Sequence, residues 1–309
     1  LMTIGTTRCN SFARIPIRKG MIIWHQEMRF LLINFFSNAV LPLIKVIASD
    51  VPSLAKKFEH AHGVMQVSAL DPDSPDGKVA THFVVNCGEW LVHNDKVDTA
   101  PHIELEFKSI EAMNAFFKGK MSLATLPKMK GIAKHPGLFA SFMAVLLKMA
   151  SLLTAKGIPE DEDTKALLVK CYFYLLSSGI SQLNKLGHPD VHDWALKSPD
   201  RVYAWAVNGH DELSAYLRIK AGKSRAGRGV YKRAMPFFTL RFDSLDSALG
   251  ILLGLDDMLD SAKKGKLIME AHPSSALRSA SICSPSPDSS SKRKHNKIPP
   301  CLRMRRFFI

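Results

Sequence analysis

A chain of 309 residues, 46% of them hydrophobic and 23% charged, has the composition of a soluble globular protein and room for two domains of ordinary size. Its formal charge of +14 lies mostly at the ends, with +4 in residues 1–20 and +7 in residues 271–309, which leaves +3 for residues 21–270. A body this close to neutral has no basic face that could follow a phosphate backbone, so we expect no nucleic-acid partner.

The cysteines are few and scattered, and none of them forms a CxxC pair: Cys9, Cys87, Cys171, Cys283 and Cys301. An odd, scattered set predicts neither a disulfide framework nor a zinc site, and it is typical of a reducing compartment. We therefore expect no metal and no cofactor. The expected location is cytoplasmic, with a peroxisome or another organelle as the alternative.

The two ends of the chain differ in composition from its centre. Residues 1–20 contain Arg, Ser and Thr but no acid, which weakly resembles an organelle transit peptide; we interpret them as a disordered leader. Residues 273–309 are rich in serine and basic residues, and we predict a disordered tail there. The basic cluster at 292–297 is typical of nuclear-import or anion-binding patches, and a solvated part of the tail is the simpler interpretation.

The first candidate element is the mostly apolar run at 30–48, which is long enough to raise the question of a membrane span. Polar residues such as Asn34, Asn38 and Lys45 recur there at helical spacing, and Pro42 would interrupt a span. We predict an amphipathic helix packed on a domain, with transient contact with a membrane surface as the alternative.

Strands follow, because the apolar period changes from 3.6 to 2. We predict them at 64–69, 78–85, 89–93 and 103–107, with turn residues at 71–77 and 86–88. Ser109 then caps a helix that buries Ile110, Met113 and Phe117. A helix over 137–153 is apolar on nearly every side, with Lys148 as its only charge, and such a helix has to be covered by protein or by something else that is apolar.

The second half has the same order of elements. After a polar linker at 156–163 we predict an apolar helix over 164–186 and strands at 202–207, 213–220, 230–232, 237–242 and 266–270. A helix bearing Leu245, Leu249 and Leu252 lies before the last strand. We predict an α+β fold with helices on one face of a mainly antiparallel sheet, in two domains at 21–155 and 164–272.

The two halves also repeat residue by residue. At a constant offset of 135 positions, Phe107 matches Phe242, Ser109 matches Ser244 and Gly119 matches Gly254. A period this long is the size of a domain and too large for a solenoid repeat. The sequence therefore predicts two copies of one fold.

Catalytic signatures are sparse. The chain has no GxSxG, no HExxH and no His/Cys cluster at metal-ligand spacing. The glycine-rich run at 222–229 partly resembles a phosphate loop, but Leu217 stands where the Walker pattern needs glycine. His93, Asp95 and Asp98 could form a base and its orienting acids. Nothing matches them in the second half, so we predict no catalytic residues and no enzyme activity.

The runs at 67–71, 77–90 and 107–120 resemble a sterol carrier protein 2 domain, and those at 215–222, 242–246 and 265–270 resemble it a second time. The resemblance implies a five-stranded sheet covered by helices around a hydrophobic tunnel. It also implies non-catalytic binding and intracellular transfer of a sterol, fatty acyl chain or phospholipid. By position, the tunnel would be lined by Phe83, Val85, Ile110, Met113, Phe116, Phe117, Phe142, Leu146, Met149, Leu217, Phe242, Leu245, Leu249 and Leu252.

Two alternatives stay open. One is a lipid-presenting accessory subunit or enzyme of lipid metabolism, for which His93 is the candidate residue. The other is a structural interaction module with filled cores. The chain departs from the family twice: a serine-rich tail replaces the expected last helix of the second copy, and residues 306–309 do not form the small-Lys-Leu peroxisomal signal.

Overall fold

The computed structural model describes residues 36–74, 76–120 and 122–271. The leader, the basic tail and residues 30–35 lie outside this range, so the expectations for them stay predictions. The first half contains a π-helical segment Phe36–Val40, then α1 Leu43–Asp50, α2 Pro52–Phe58, β1 His62–Leu70, β2 Lys78–Asn86, β3 Glu89–His93, β4 Ile103–Phe107, α3 Ile110–Phe117, β5 Lys128–Lys130 and α4 Pro136–Leu153.

The second half repeats the order of elements. It contains α5 Glu162–Lys185, α6 Pro189–Lys197, β6 Arg201–Val207, a 3-10 turn Asp211–Leu213, β7 Ala215–Lys220, β8 Lys223–Arg228, β9 Phe238–Phe242, α7 Leu245–Leu252, α8 Met258–Lys263 and β10 Leu267–Ala271.

The ten strands form two five-stranded sheets of the same topology. The strand order is β3-β2-β1-β4-β5 in the first sheet and β8-β7-β6-β9-β10 in the second. In each sheet the central pair is parallel, β1 with β4 and β6 with β9, and all other pairs are antiparallel. The prediction of an α+β fold with two mainly antiparallel sheets and covering helices is confirmed.

The repeated residues occupy equivalent places in the two sheets. Ser109 and Ser244 both cap the helix after the fourth strand, each hydroxyl accepting a hydrogen bond from the backbone N–H three residues later. The hairpins also match, since Cys87 and Ala221 have φ of 48° and 49° and a glycine in the left-handed region follows each. Two consecutive positive φ values define the two-residue turn that suits the twist of an antiparallel hairpin.

One hydrophobic core extends through both halves. It contains the inward side chains of both sheets together with residues of the helices that cover them, including Ile44 of α1, Phe142 of α4 and Phe173 of α5. Helix α1 contacts both α4 and α5, and α5 covers β7 and β8. The described part of the predicted amphipathic helix is thus packed on the protein, in two pieces that Pro42 separates.

The strand prediction was wrong at 230–232 and missed the short strand Lys128–Lys130. Residues 230–232 lie in a loop, and the edge strand is β8, Lys223–Arg228. The glycine-rich run at 222–229 is therefore a turn residue and a strand, and it makes no phosphate loop. Its polar residues are typical of an exposed edge strand, where only part of each side chain is buried. Gly229, with φ of 75°, ends the strand.

Candidate functional site

The predicted lining residues all lie in the hydrophobic layer between the sheets and their helices. Phe83 and Val85 project from β2, while the remaining first-half residues belong to α3 and α4. Thirteen of the fourteen side chains have an exposure of 6% or less, and Leu252 is partly buried. The fold thus buries them between each sheet and its helices, and their role in lining a tunnel stays a prediction.

Aromatic rings occupy much of this layer in the first half. Phe83 of β2 meets Phe142 of α4 with ring centroids 5.9 Å apart. Phe107 of β4 lies 5.4 Å from Phe116 and 6.1 Å from Phe117, both on α3. The layer is therefore held by apolar contacts among aromatic rings at the separations that such pairs prefer.

The second half has a matching layer with fewer aromatic rings. Phe242 of β9 stacks on Phe173 of α5 with centroids 5.9 Å apart. Leu217, Leu245 and Leu249 pack in the same core. Leucine replaces the rings of the first half, so the two layers differ in shape although they occupy equivalent positions.

Helix α4 has an apolar outer side as well as a buried inner side. Its inner side carries Phe142, Val145, Leu146, Met149 and Leu152. On its outer side Leu147 is 52% exposed, and Phe139 and Met143 are half-buried, each packing partly against the core. Only 28% of this helix is buried, against 67% of α5, and both helices are long and apolar enough to cross a membrane by length and composition. Large apolar surfaces left uncovered usually mark a site of contact.

The side of the first sheet that faces away from the helices is called here the open face of the first sheet. One row of residues crosses it, in the order His93, His82, Gln66, Glu104 and Lys130. Each residue of the row is the register partner of the next, so one side chain from every strand contributes. The row is polar from end to end.

Glu104 is the centre of an ion-pair network on this open face. It accepts hydrogen bonds from Gln66 and Ser68, and its carboxylate lies 3.0 Å from the ammonium groups of both Lys78 and Lys130. Burial opposes its ionisation, but these hydrogen bonds outweigh burial and lower the pKa of Glu104 to about 2. Glu106 contacts the same two lysines. Glu104 is therefore ionised, and its contacts link its own strand β4 to β1, β2 and β5.

Three metal-ligating side chains meet at the other end of the row. The rings of His82 and His93 are stacked with centroids 4.8 Å apart. Asp95 lies beside them, with its carboxylate 3.2 Å from His82 Nδ1 and its main-chain oxygen 2.8 Å from the same atom. One ligand atom from each of the three residues lies within 4.8 Å of the others. The sequence expectation of His93 with Asp95 and Asp98 named only part of this cluster.

The register that brings His82 to His93 depends on the exact length of the hairpin turn. The predicted turn at 86–88 has three residues and would pair position 82 with position 92, whereas the two-residue turn in the structure, at Cys87 and Gly88, pairs His82 with His93. The contacts of Gln66 with Glu104 had no such signal, because they join residues 38 positions apart on neighbouring parallel strands.

The open face of the second sheet is different in kind. Its central strands carry the small residues Ala204 and Thr239, and a cavity of about 190 Å³ opens beside them and Arg241, lined also by Tyr231 and Met235 of the loop after β8. The hydroxyl of Ser214, which lines this cavity, is buried and has no hydrogen-bond partner among the described residues. This cavity lies apart from every predicted lining position.

The two described thiols, Cys171 and Cys87, lie in different environments. Burial raises the pKa of the Cys171 thiol to about 12, so it stays protonated within the core. Cys87 is exposed in the first hairpin turn, with its sulfur 3.4 Å from His62 Nε2. Cys171 is thus an apolar core residue.

Comparison with known proteins gives likenesses to solved structures alone. No protein-family model matches the chain, and no curated protein sequence matches it. A crystal structure of sterol carrier protein 2 is similar at 15% identity and a TM-score of 0.29, over 37% of this chain and 95% of that chain. A solution structure of a conserved hypothetical protein from Thermus thermophilus, described as possibly sterol carrier protein, is similar at 15% identity and a TM-score of 0.27, over 37% and 83%.

Proposed function

We propose that this protein binds lipids without covalent chemistry and transfers them inside the cell, as a tandem pair of sterol-carrier-like domains. The ligand class is a sterol, a fatty acyl chain or a phospholipid. The observation that carries the proposal is helix α4, whose inner side packs against α1, α2 and Phe83 of the first sheet while its outer side leaves Leu147 largely exposed.

The position of α4 makes it the natural entry to the apolar layer. It is the less buried of the two long apolar helices, so displacing it breaks fewer contacts than displacing α5. Phe142 and Met149 on its inner side and Phe83 of β2 opposite Phe142 are fully buried apolar side chains. An acyl chain entering between α4 and the first sheet would gain roughly 0.8 kcal/mol for each CH₂ group transferred from water. Methionine and phenylalanine adapt to such a ligand by changing rotamer.

The same helix supplies the contact with a donor membrane. Its outer residues Phe139, Met143 and Leu147 would enter the lipid interface, and Lys148 would remain beside the headgroups. Partial insertion of α4 would loosen its inner contacts at the moment of contact with the bilayer. In this proposal, docking of α4 on the membrane and opening of the apolar layer therefore occur in the same step.

The enzyme alternative is less well supported by the positions of the polar groups. It needs a titratable cluster at the mouth of the apolar layer. His82, His93 and Asp95 lie on the open face, and residues on alternate positions such as Phe83 face α4, so the sheet separates this cluster from the proposed ligand. We therefore propose a carrier with no enzyme activity, in a reducing, cytoplasmic compartment where Cys87 and Cys171 remain free thiols.

The docking step is tested by transfer of a fluorescent fatty acid between phosphatidylcholine vesicles. Leu147→Glu places a charge on the outer side of α4 and leaves the buried residues unchanged. Because burial of a leucine side chain contributes about 1.5–3 kcal/mol, we expect the transfer rate to fall by roughly tenfold or more. Equilibrium binding of the free fatty acid should change little.

The matched control is Leu255→Glu. Leu255 has nearly the same exposure, 55% against 52%, but lies after α7 in the second half. Transfer by this variant should equal that of the unmodified chain. Equal rates for both variants would exclude α4 as the docking helix, and an unmodified chain that neither binds nor transfers the probe would favour the interaction module with filled cores.

A further inference from the structure

We propose that His82, His93 and Asp95 form a binding site for one divalent transition-metal ion, with Zn²⁺ as the best match, on the open face of the first sheet. The proposal is independent of lipid binding. It rests on the antiparallel register, which sets His82 directly opposite His93 with stacked rings at 4.8 Å. Directly opposed positions have their Cβ atoms about 5 Å apart, a separation from which two imidazoles can reach one ion.

Asp95 completes the set because the chain turns back over the sheet immediately after β3. The loop after His93 is fastened to the open face at two points. The main-chain oxygen of Asp95 lies 2.8 Å from His82 Nδ1, and the backbone N–H of Val97 donates to Gln66 Oε1 at 2.9 Å. The carboxylate is therefore held beside the two rings by the path of the backbone.

The main-chain contact of Asp95 also prepares His82 as a ligand. A carbonyl oxygen can only accept, so His82 carries its proton on Nδ1 and has a lone pair on Nε2. Metal-binding histidines commonly donate their second N–H to a carbonyl or carboxylate in this way, which fixes the ring and its tautomer. When a metal binds, the Asp95 carboxylate leaves Nδ1 for the ion and the carbonyl keeps the hydrogen bond.

The distances require only a small adjustment. Metal–ligand bonds of about 2.0–2.2 Å in a tetrahedral site place ligand atoms roughly 3.4 Å apart. One ligand atom from each of the three residues now lies within 4.8 Å of the others, and the Asp95 carboxylate reaches the ion by moving away from His82 Nδ1. His93 is exposed and the Asp95 side chain is 72% exposed, so both can rotate inward without disturbing the core.

The donor set indicates the class of metal. Two imidazoles and one carboxylate suit Zn²⁺, with Cu²⁺ and Ni²⁺ as competitors, and they are poor ligands for Mg²⁺ or Ca²⁺, which prefer oxygen. The fourth position faces solvent and would hold water. The equivalent positions in the second sheet are Tyr216 and Gly227, which supply no such ligand pair. The ion would tie the loop after β3 to the first sheet alone.

The test is a Zn²⁺ titration of the full chain, without an affinity tag, by calorimetry in a non-chelating buffer. His93→Gln and Asp95→Asn each remove one ligand at an exposed position. Loss of even an outer partner typically costs 10–100-fold in metal affinity, so each variant should bind at least roughly tenfold more weakly. The control is His210→Gln, because His210 pairs with Glu212 at 3.2 Å but has no second imidazole in the described cluster.

The Zn²⁺ titrations of the unmodified chain and its variants distinguish a site at these residues from binding elsewhere. One equivalent of Zn²⁺ that is weakened by both ligand variants and unaffected by the control supports the site. Absence of saturable binding to the unmodified chain would overturn it. So would equal affinity of the unmodified chain and the two ligand variants, because the ion would then be bound by other residues of the chain.

Discussion

The two sheets have the same topology, but the side chains on their open faces differ in chemistry. The row across the first sheet reads His93, His82, Gln66, Glu104 and Lys130. The equivalent row across the second reads Gly227, Tyr216, Ala204, Thr239 and Glu270. The first row carries an ion-pair network and a cluster of metal-ligating residues. The second has an aromatic ring, small side chains, a cavity and an ion pair between Glu270 and Arg241 at 2.8 Å.

The comparison of the two sheets indicates which features of the chain specify the fold. The shared features are the apolar inner faces, the serine caps and the hairpin turns with two positive φ values. The open faces share almost nothing, and yet both sheets form with the same strand order. Core packing and turn geometry therefore determine this architecture, and each open face was free to acquire its own chemistry.

The largest expected effect comes from removing the centre of the first network. Glu104→Gln leaves Lys78 and Lys130 with Glu106 as their remaining described acidic partner. Because a partly buried ion pair is broken, we expect a loss of about 2–4 kcal/mol in the free energy of unfolding, measured by urea denaturation. The matched change in the second sheet, Thr239→Val, should cost less than about 1 kcal/mol. Equal costs would contradict the contrast between the faces.

Acid should weaken the same network. The pKa of Glu104 falls from its ordinary 4.5 to about 2 in the folded protein. A lowered folded-state pKa contributes stability above pH 4.5 that is lost as the pH falls toward 2, up to about 3 kcal/mol for this group. Urea denaturation between pH 6 and pH 3 measures the loss. The Glu104→Gln variant should lose less over the same interval, and an identical pH dependence would exclude Glu104 as its source.

A smaller effect is expected from filling the glycine position of the second row. A Cβ atom at Gly227 would lie 2.1 Å from Cζ of Tyr216, whose ring covers this glycine. Gly227→Ala forces the ring to move and should cost about 1–3 kcal/mol in unfolding free energy. His93→Ala, at the equivalent exposed position of the first sheet, should change stability by less than about 0.5 kcal/mol in metal-free buffer. Thermal denaturation of both variants, with EDTA present, makes the comparison.

The smallest effect should be the same in both halves. Ser109→Ala and Ser244→Ala each remove one helix cap, at a cost of about 1 kcal/mol. Urea midpoints of the two single variants should fall by similar amounts. If only one of the two substitutions lowered the urea midpoint, the two serine caps would not contribute equally to stability although both are present in the repeat.

The caps and apolar strands were predictable from the sequence because they depend on local signals. The strand Ile103–Phe107 and the Ser109 cap lie where the alternation and the serine placed them. The strand Lys128–Lys130 was missed, since three exposed or half-buried residues at a sheet edge show no alternation. The edge strand Lys223–Arg228 was misplaced for the same reason.

The site was predictable only in part. Burial of the predicted lining residues follows from apolar periodicity, which identifies an inner face. Helix α4 was expected to be covered by protein or by something else that is apolar, and its exposed Leu147 shows that the described residues leave one side uncovered. The Glu104 network depends on the register between β1 and β4, which are joined by a long crossover, and single-residue patterns do not specify that register.

Lipid binding is tested most directly by identifying what the protein carries. The full chain is purified without detergent, extracted with organic solvent, and the extract is quantified by mass spectrometry. The account predicts a sterol, fatty acid or phospholipid in roughly stoichiometric amount, displaced when a fluorescent fatty acid is added. An extract free of lipid, from a chain that also fails to bind the fluorescent probe, would contradict it.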